Sequence, residues 1–527
     1  MKIKFGNLRL NVAVILVALA ALLYFFKLGS FSLYDAAETT YGEFVKNMLN
    51  MHDWLTLHFN GAVIFDKPPL YYWLVALVSK LIGFNEWAMR LPAAVSGLLT
   101  VVVTYLLGKK FHNERTGLLA GLVVMTAFQF LVQSRIAELD VVLTLFMTLA
   151  VYLFYLGYTS GEKKYYLAAY FPLALGMLIK GLLAVALPGC AICLFLLFKK
   201  ELGKLKELRL APGALIILLI GLPWYIAEYI IHGKVFLDFA LGFLFLSRFG
   251  GVVAGHTGPW YYYFLALLLG FFPWSQFLPV ALWRTFRDWR NDPELLTLCF
   301  VVPAFIVFSV AKTKIPNYIL PLYPFLAIIV AAMWDRLFAE PGGERRAFVI
   351  SNLCFAVVIV LIFTGIVILG NSNYPAQYVS LRPSLLTLAA ILVIGSLISV
   401  LCFLRSAYKY SFAALPTMIF AITLLLTLVA LPQVENFKGA KPLGQELAKA
   451  IKPGQQVAAY ETGNRPSVVL HSPALVTFLT REAELDGFLA ARRGFAFTTT
   501  DEYEKIKTRL PRGARILDTK GDLLVLY

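Results

Sequence analysis

Runs of roughly 17–25 predominantly apolar residues recur along this chain, and each is long enough to cross the hydrocarbon core of a bilayer as a helix. About thirteen are discernible. They lie near 9–28, 90–108, 116–133, 139–158, 165–180, 182–198, 212–231, 260–283, 294–310, 317–338, 347–370, 385–404 and 411–431. The runs 165–180 and 182–198 are short and compatible with one broken hairpin. A mean hydropathy of +0.74, with 59% apolar and 15% charged residues, excludes a large soluble core and implies a polytopic α-helical membrane protein.

Basic residues set the expected orientation. With the N-terminus cytoplasmic, the inner loops hold Lys2, Lys4 and Arg9, then Lys109, Lys110 and Arg115, then Lys199, Lys200, Lys204, Lys206 and Arg209. The same bias continues through Arg284, Arg287 and Arg290 and through Arg405 and Lys409. The net charge of +16 is mostly this inner-face bias, so no nucleic-acid partner is expected. An odd number of spans places 432–527 outside, as a small α/β domain following a transmembrane domain over 1–431. The first span lacks a small-residue cleavage site and reads as a retained anchor. Cys190 and Cys193 form a CxxC in a wholly apolar stretch, where they act as small hydrophobic residues.

Three outer segments are long enough to carry function: 29–89, 232–259 and 432–527. In the first, Ala36 to Asn50 has the period of an interfacial helix, with Tyr41, Phe44, Val45, Met48 and Leu49 on its apolar side. Lys67 precedes a proline and should be extended, while Pro69 suits the start of a helix running Leu70-Tyr71-Tyr72-Trp73. In the last segment, Leu443–Ile451 and Asp501–Leu510 read as helices. Gln456–Tyr460, Ser467–Leu470, Arg515–Asp518 and Leu523–Tyr527 read as strands. No phosphate-cradling glycine motif occurs.

Charge gathered at the edge of a bilayer is costly and marks function. Asp35 and Glu38, three residues apart, face one side of a helix; capping that helix is the structural alternative. Asp140 opens the fourth span on the same outer rim as Asp35 and Asp66, and here too an N-cap competes with a functional role. The outer cations include Lys67, Arg90, Arg135, Lys180, Lys312 and Lys314. Lysines beside carboxylates suit a phosphate and a sugar together. Asp66 and His256 offer a sparse carboxylate–imidazole pair for a divalent metal ion. The tract Lys312–Pro321 is polar where two spans turn outside, which favours a ligand-facing role for Lys314.

Taken in order, several stretches resemble the polyprenyl-phosphate-sugar-dependent glycosyltransferases of the C type. They are Glu38–Met48 with His52-Asp53-Trp54, Asn60–Pro69, Ala137–Asp140, Lys180-Gly181-Leu182, His256–Tyr261 and Lys314–Pro321. The chain is similar to the dolichyl-phosphate-mannose-protein mannosyltransferase-like group that includes the lipid A aminoarabinose transferase. The resemblance implies that Asp140 is a functional carboxylate, that Lys67 and Lys180 hold the donor phosphate, that Tyr41 and Tyr318 line the donor site, and that Asp66 and His256 bind a divalent metal. The family's first-loop Asp-Glu followed by Arg-Tyr stands here as Ala37-Glu38 and Thr40-Tyr41. The catalytic carboxylate therefore falls to Asp35 or to Glu38.

A single sugar is expected to move from a polyprenyl (undecaprenyl) phosphate donor to lipid A or another envelope acceptor, by direct displacement with inversion, at the periplasmic face of a bacterial inner membrane. The phosphate leaving group is already a stable anion and needs charge stabilisation more than protonation. A hydroxyl acceptor would need a base, with Asp35 or Glu38 the candidates. A protein O-mannosyltransferase-like enzyme and a lipid-linked glycan flippase are the competing functions. The flippase predicts charges near mid-span and inverted halves, whereas the charges here cluster at the outer edge.

Overall fold

The computed structural model describes residues 2–5, 8–246, 257–340, 348–353, 355, 357, 359, 360, 364, 365, 380–491 and 493–527. The first helices in chain order are α1 (Val12–Phe25), α2 (Ala37–Met51), α3 (Leu70–Ile82), α4 (Glu86–Phe111), α5 (Glu114–Thr126), α6 (Phe128–Gln133), α7 (Asp140–Ser160), α8 (Lys163–Lys180) and α9 (Leu183–Phe198). Side chains start them where backbone N–H groups would otherwise be orphaned: Asn85 accepts from the Ala88 amide at α4 and Asn113 from the Thr116 amide at α5. α7 ends at Gly161, whose φ of 74° closes the turn into α8. The pair α7–α8 is thus a tight hairpin that returns Lys180 to the level of Asp140.

Among the described residues, six helices are long and apolar enough to cross a membrane, or seven if the bent pair Leu210–Gly221 and Pro223–His232 is one span; Val12–Phe25, Leu70–Ile82 and Leu183–Phe198 are shorter apolar helices. The expected runs are interrupted where hydropathy is blind to backbone chemistry. The run 116–133 breaks between α5 and α6, and 260–283 divides into Tyr262–Gly270, Ser275–Phe277 and Leu278–Arg287 around Pro273. The run 317–338 begins as the 3-10 turn Pro316–Leu322 before the helix Tyr323–Ala339. Most of 347–370 lies outside the described residues. One continuous core joins these helices around the buried side chains Tyr24, Phe130, Phe154, Trp274, Tyr323 and Trp334. Leu218, Leu219, Ile230, Leu269, Ile394 and Leu397 point outward, as lipid-facing residues must.

The C-terminal unit is a five-stranded mixed sheet, in the spatial order Val476–Leu479, Gln456–Tyr460, Gly494–Thr499, Leu523–Leu526, Ile516–Lys520. The first three strands run parallel and the last two antiparallel to their neighbours. The expected strand Ser467–Leu470 is instead part of the helix Pro466–His471. Proline at the first turn pre-sets the helical φ, and Ser467, Val468, Val469 and Leu470 are all buried, so no alternating strand face exists. The helix Glu482–Ala490 and the strands Val476–Leu479 and Gly494–Thr499 complete a fold of which periodicity had shown only the parts.

The unit is seated on the first loop. α2 packs against Pro466–His471, and Gly42 allows the approach, since a Cβ there would meet Leu470 at 3.1 Å and Leu33 at 3.2 Å. The Lys46 ammonium donates to the carbonyls of Leu470 (2.7 Å) and Ser472 (3.3 Å). Asn60 pairs both ways with the backbone of Val476 at the sheet edge, at 2.8 Å each, taking the place of a further strand. His471 lies in this seam, and burial, assisted by the nearby Lys441 ammonium, depresses its imidazole to about 4. The unfolded chain binds a proton near pH 6.5 while the folded one resists until about 4, so stability is full above that window and falls with pH through it. The free energy of unfolding should therefore drop between pH 6.5 and 4 by at most about 3 kcal/mol, read as a lowered thermal midpoint, and His471→Gln should flatten that slope. An unchanged slope in the variant would show that His471 is not the group responsible.

Candidate active site

The adjoining ends of α2, α4, α7 and α8 and the turn before α3 carry a chain of ion pairs. Glu38, 1% exposed, accepts four hydrogen bonds: from Arg90 Nε and Nη2 at 2.8 Å each, from the Tyr34 amide at 2.9 Å and from the Ala137 amide at 2.6 Å. Arg90, 2% exposed, also donates to the carbonyls of Leu28 (2.9 Å), Phe31 (2.9 Å) and Ser32 (3.2 Å). The pair therefore ties the end of α1, the start of α2 and the segment entering α7 to one point on α4. Its lone pairs taken, Glu38 serves as a clamp, and a role as a freely exchanging base has no support in this geometry.

Asp35 is equally engaged. Its carboxylate accepts from the Ser467 amide (2.8 Å), the Ser467 hydroxyl (2.7 Å) and the Thr39 hydroxyl (3.1 Å). Neither Asp35 nor Glu38 caps α2 in the expected box: Ala36 stands at the N-cap without a side-chain bond, and Glu38 reaches back to Tyr34 instead. Asp35 thus fastens the α/β unit to the loop. Asp35→Asn is expected to lower stability by about 1–2 kcal/mol and leave turnover per folded molecule nearly unchanged. Thermal unfolding beside a transfer assay checks this, and abolished turnover at full stability would return Asp35 to the chemistry.

Two lysine–aspartate pairs face the space between these elements. Lys180 pairs with Asp140, and its ammonium lies 4.5 Å from the centre of the Tyr318 ring. Asp140 occupies the first turn of α7 and Lys180 the last turn of α8, so each charge sits at the helix pole that favours it. Gly181, at φ 70°, ends α8 directly after the lysine. Lys67 contacts both oxygens of Asp66 (3.2 and 3.0 Å) and the Tyr41 hydroxyl (3.0 Å), while the Tyr72 hydroxyl donates to Asp66 at 3.4 Å. Burial pulls the Lys67 ammonium down, but the adjacent Asp66 carboxylate outweighs it and holds it above the ordinary lysine range. Lys67 is a fixed positive charge.

Glu138, which the motif reading passed over in favour of Asp140, is buried and lies within the electrostatic field of both pairs. Burial first, then the Asp140 carboxylate, push it up to about 7 against the opposing pull of Lys67 and Lys180. Its only sequence signal was membership of Glu138-Leu139-Asp140 at the start of a span. Lys314 turns elsewhere: its ammonium donates to the carbonyls of Ser309 (2.6 Å) and Ala311 (3.0 Å). Tyr318 is positioned by the Pro316–Leu322 turn, which Asn317 ties to α6 by accepting from Gln129 (3.3 Å) and Gln133 (2.9 Å). His256 lies outside the described residues. Among the described residues no group of three or more His, Cys, Asp or Glu could hold a metal ion. Asp66 alone, already bonded to Lys67 and Tyr72, does not make such a site.

Two apolar cavities flank the ion pairs. One, of about 360 Å³, has Lys180 and Tyr318 at its head and runs between Leu182–Cys190 and Pro303–Ala311. The other, of about 400 Å³, has Tyr34, Asp35, Arg135 and the Glu38–Arg90 pair at its head and is walled by Phe128, Ile419, Ile422 and Leu426. Each joins a polar head that carries a lysine or arginines to an apolar shaft, a form that suits a lipid with an anionic headgroup.

Polytopic helices, an ion-paired rim and lipid-shaped cavities suit a membrane enzyme that handles a lipid-linked anion, and the known proteins the chain is similar to are glycosyltransferases. The family model for dolichyl-phosphate-mannose-protein mannosyltransferase matches residues 66–226. The undecaprenyl phosphate-alpha-4-amino-4-deoxy-L-arabinose arabinosyl transferase 1 of Pseudomonas fluorescens is 30% identical over 387 residues, 72% of this chain and 68% of that enzyme. The chain belongs to this arabinosyl transferase family. The crystal structure of ArnT from Cupriavidus metallidurans bound to undecaprenyl phosphate superposes with a TM-score of 0.82 at 21% identity, covering 98% of this chain and 97% of that one. The oligosaccharyltransferase of Archaeoglobus fulgidus, in a complex with zinc and sulfate, shares the fold at a TM-score of 0.52 and 12% identity, over 95% of this chain and 70% of that one.

Proposed function

We propose that the chain moves a single sugar from undecaprenyl phosphate to lipid A at the periplasmic face of a bacterial inner membrane, with its N-terminus cytoplasmic and its α/β unit periplasmic. The observation that carries this is the position of Lys180, at once paired with Asp140 and standing at the mouth of the 360 Å³ apolar cavity. An isoprenoid chain in that cavity would present its phosphate to Lys180, with Lys67 as the second cation. As the bond from sugar to phosphate breaks, negative charge grows on the phosphate, and fixed ammonium groups in a water-poor site stabilise it without reorganising. Asp140 holds Lys180 in place, and Asp66 with Tyr41 holds Lys67. The second cavity is lined by the Glu38–Arg90 clamp itself and suits the acyl part of a lipid acceptor, with Arg135 near its anionic head.

The phosphate of a lipid A acceptor is a nucleophile at neutral pH without deprotonation, which agrees with the engagement of both first-loop carboxylates elsewhere. The product is expected to show inversion at the sugar carbon, since one displacement from the face opposite the phosphate suffices. A divalent ion on Asp66 and His256 belongs to the same proposal. Chelation should lower transfer, and turnover unaffected by exhaustive EDTA treatment would remove the ion. The decisive experiment is mass spectrometry of lipid A from cells with and without the chain. A mass increment of one sugar that depends on the chain is the expected result, and an increment found on envelope proteins instead would favour an O-glycosyltransferase.

A further inference from the structure

One helical segment backs both donor lysines. The helix Pro223–His232 and the turns after it pack on the first loop through Phe65, whose ring meets those of His232 (5.1 Å), Phe236 (5.4 Å) and Phe239 (5.6 Å). Phe65 is followed directly by Asp66 and Lys67. The same segment packs on α8: Trp224 and Phe236 share an apolar cluster with Leu178, and the Tyr225 hydroxyl donates to the Met177 carbonyl at 3.2 Å. Leu178 stands two residues before Lys180. A displacement of this segment therefore unsettles both ammonium groups together.

A buried carboxylate sits where the segment grips the loop. Glu228 is 1% exposed, neither of its oxygens has a hydrogen-bond partner among the described residues, and His232 Nε2 lies 3.4 Å from Oε2. That nitrogen also pairs with the Thr56 hydroxyl at 2.9 Å, and the Trp224 indole N–H donates to the Leu55 carbonyl at 3.0 Å. On the loop side the titratable groups facing the pair are Asp53, whose carboxylate repels Glu228, and His58, whose Nδ1 is 3.9 Å from Asp53. An ionised carboxylate alone in this place is unfavourable. The arrangement is tolerated when the pair holds one proton, on the imidazole as an ion pair or on the carboxyl. With no proton the charge stands uncompensated beside Asp53, and it is relieved when the helix shifts to bring Glu228 to water.

We propose that Glu228 and His232 are positioning residues that share a single proton, and that this proton keeps the segment seated against Phe65 and Leu178 so that Lys67 and Lys180 face the donor phosphate. This rests on the roles given to those two lysines in the transferase function above and adds a dependence on pH. Acid keeps the proton on the pair and alkali removes it, so the seated state is depopulated as pH rises. Apparent affinity for the lipid phosphate then falls by about tenfold per pH unit beyond the titration of the pair, because one proton is linked to one competent state.

The test uses the full chain in nanodiscs with undecaprenyl phosphate as the probe. Binding is measured between about pH 7.5 and about pH 9.5, above the second ionisation of that phosphate and below the ordinary lysine range. Wild-type affinity should decline across this window, whereas Glu228→Gln, whose amide carries no charge, should bind with little decline. His232→Gln removes one of the two places for the proton and should begin its decline at lower pH than the wild type. The kcat/KM for sugar transfer from an undecaprenyl-phosphate sugar to lipid A should follow the same three profiles. Parallel wild-type and Glu228→Gln profiles, offset by one factor at every pH, would show a structural role only and overturn the proposal. So would a wild-type affinity indifferent to pH. Should Glu228→Gln fail to fold, as judged by thermal unfolding, the displaced decline of His232→Gln decides. Binding that depends on Glu228 without transfer of any sugar supports this proposal and sinks the transferase function. Transfer by all variants along one common profile sinks the proposal alone.

Discussion

Arg90→Ala is expected to abolish transfer by undoing the outer rim. The substitution leaves Glu38 charged at 1% exposure with two of its four donors gone, and leaves the carbonyls of Leu28, Phe31 and Ser32 without theirs. Breaking one side of a buried ion pair costs about 3–5 kcal/mol, a large share of the stability of an ordinary domain. Unfolding monitored in detergent should show a midpoint lowered well beyond that of surface variants. Adding Glu38→Gln to Arg90→Ala should recover part of the loss, because the stranded charge is then removed. A single variant as stable as wild type would show that the clamp does not hold the loop.

Lys180→Met should be the most damaging change to chemistry that leaves the fold recoverable. The loss in kcat/KM should reach about 1000-fold, the scale of removing one preorganised charge from a transition state in which an anion develops. Some instability accompanies it, since Asp140 loses its partner at 7% side-chain exposure. The double variant Lys180→Met with Asp140→Asn separates the two effects: stability should return and transfer should not. Transfer restored along with stability would mean that Lys180 serves the fold and not the leaving phosphate. Lys180→Arg keeps the charge but cannot place it as a compact point, so an intermediate activity is expected.

Much of the rim was legible from residue type and position. Asp66, Lys67, Asp140 and Lys180 stood out because charge at the end of an apolar run is expensive, and the structure joins them as two pairs. Lys180 is followed by Gly181, whose φ of 70° ends the helix directly after it. The roles within the first loop were less legible. Asp35 and Glu38 have the spacing of helix-face neighbours, yet one carboxylate turns to Ser467 and the other to Arg90, partners 432 and 52 residues away in the chain. No local pattern encodes such distances. Glu138 was passed over for a related reason. A glutamate two residues before an aspartate is unremarkable until packing sets it within the field of both lysine–aspartate pairs.

The same division runs through the fold. Apolar period and length determined the helices and the membrane class, because each span satisfies its own backbone hydrogen bonds and must do so wherever it sits. Apolar period also exposed α2, and Pro69 marked the start of α3. What tertiary structure decided is where those helices stop and which ends meet: the proline breaks, the helix at Pro466–His471 in place of a strand, and the seam that binds the α/β unit to the first loop. Burial along one segment is a local property of composition. Pairing of charges across the molecule depends on which surfaces are left over once the helices have packed, and that is settled only in three dimensions.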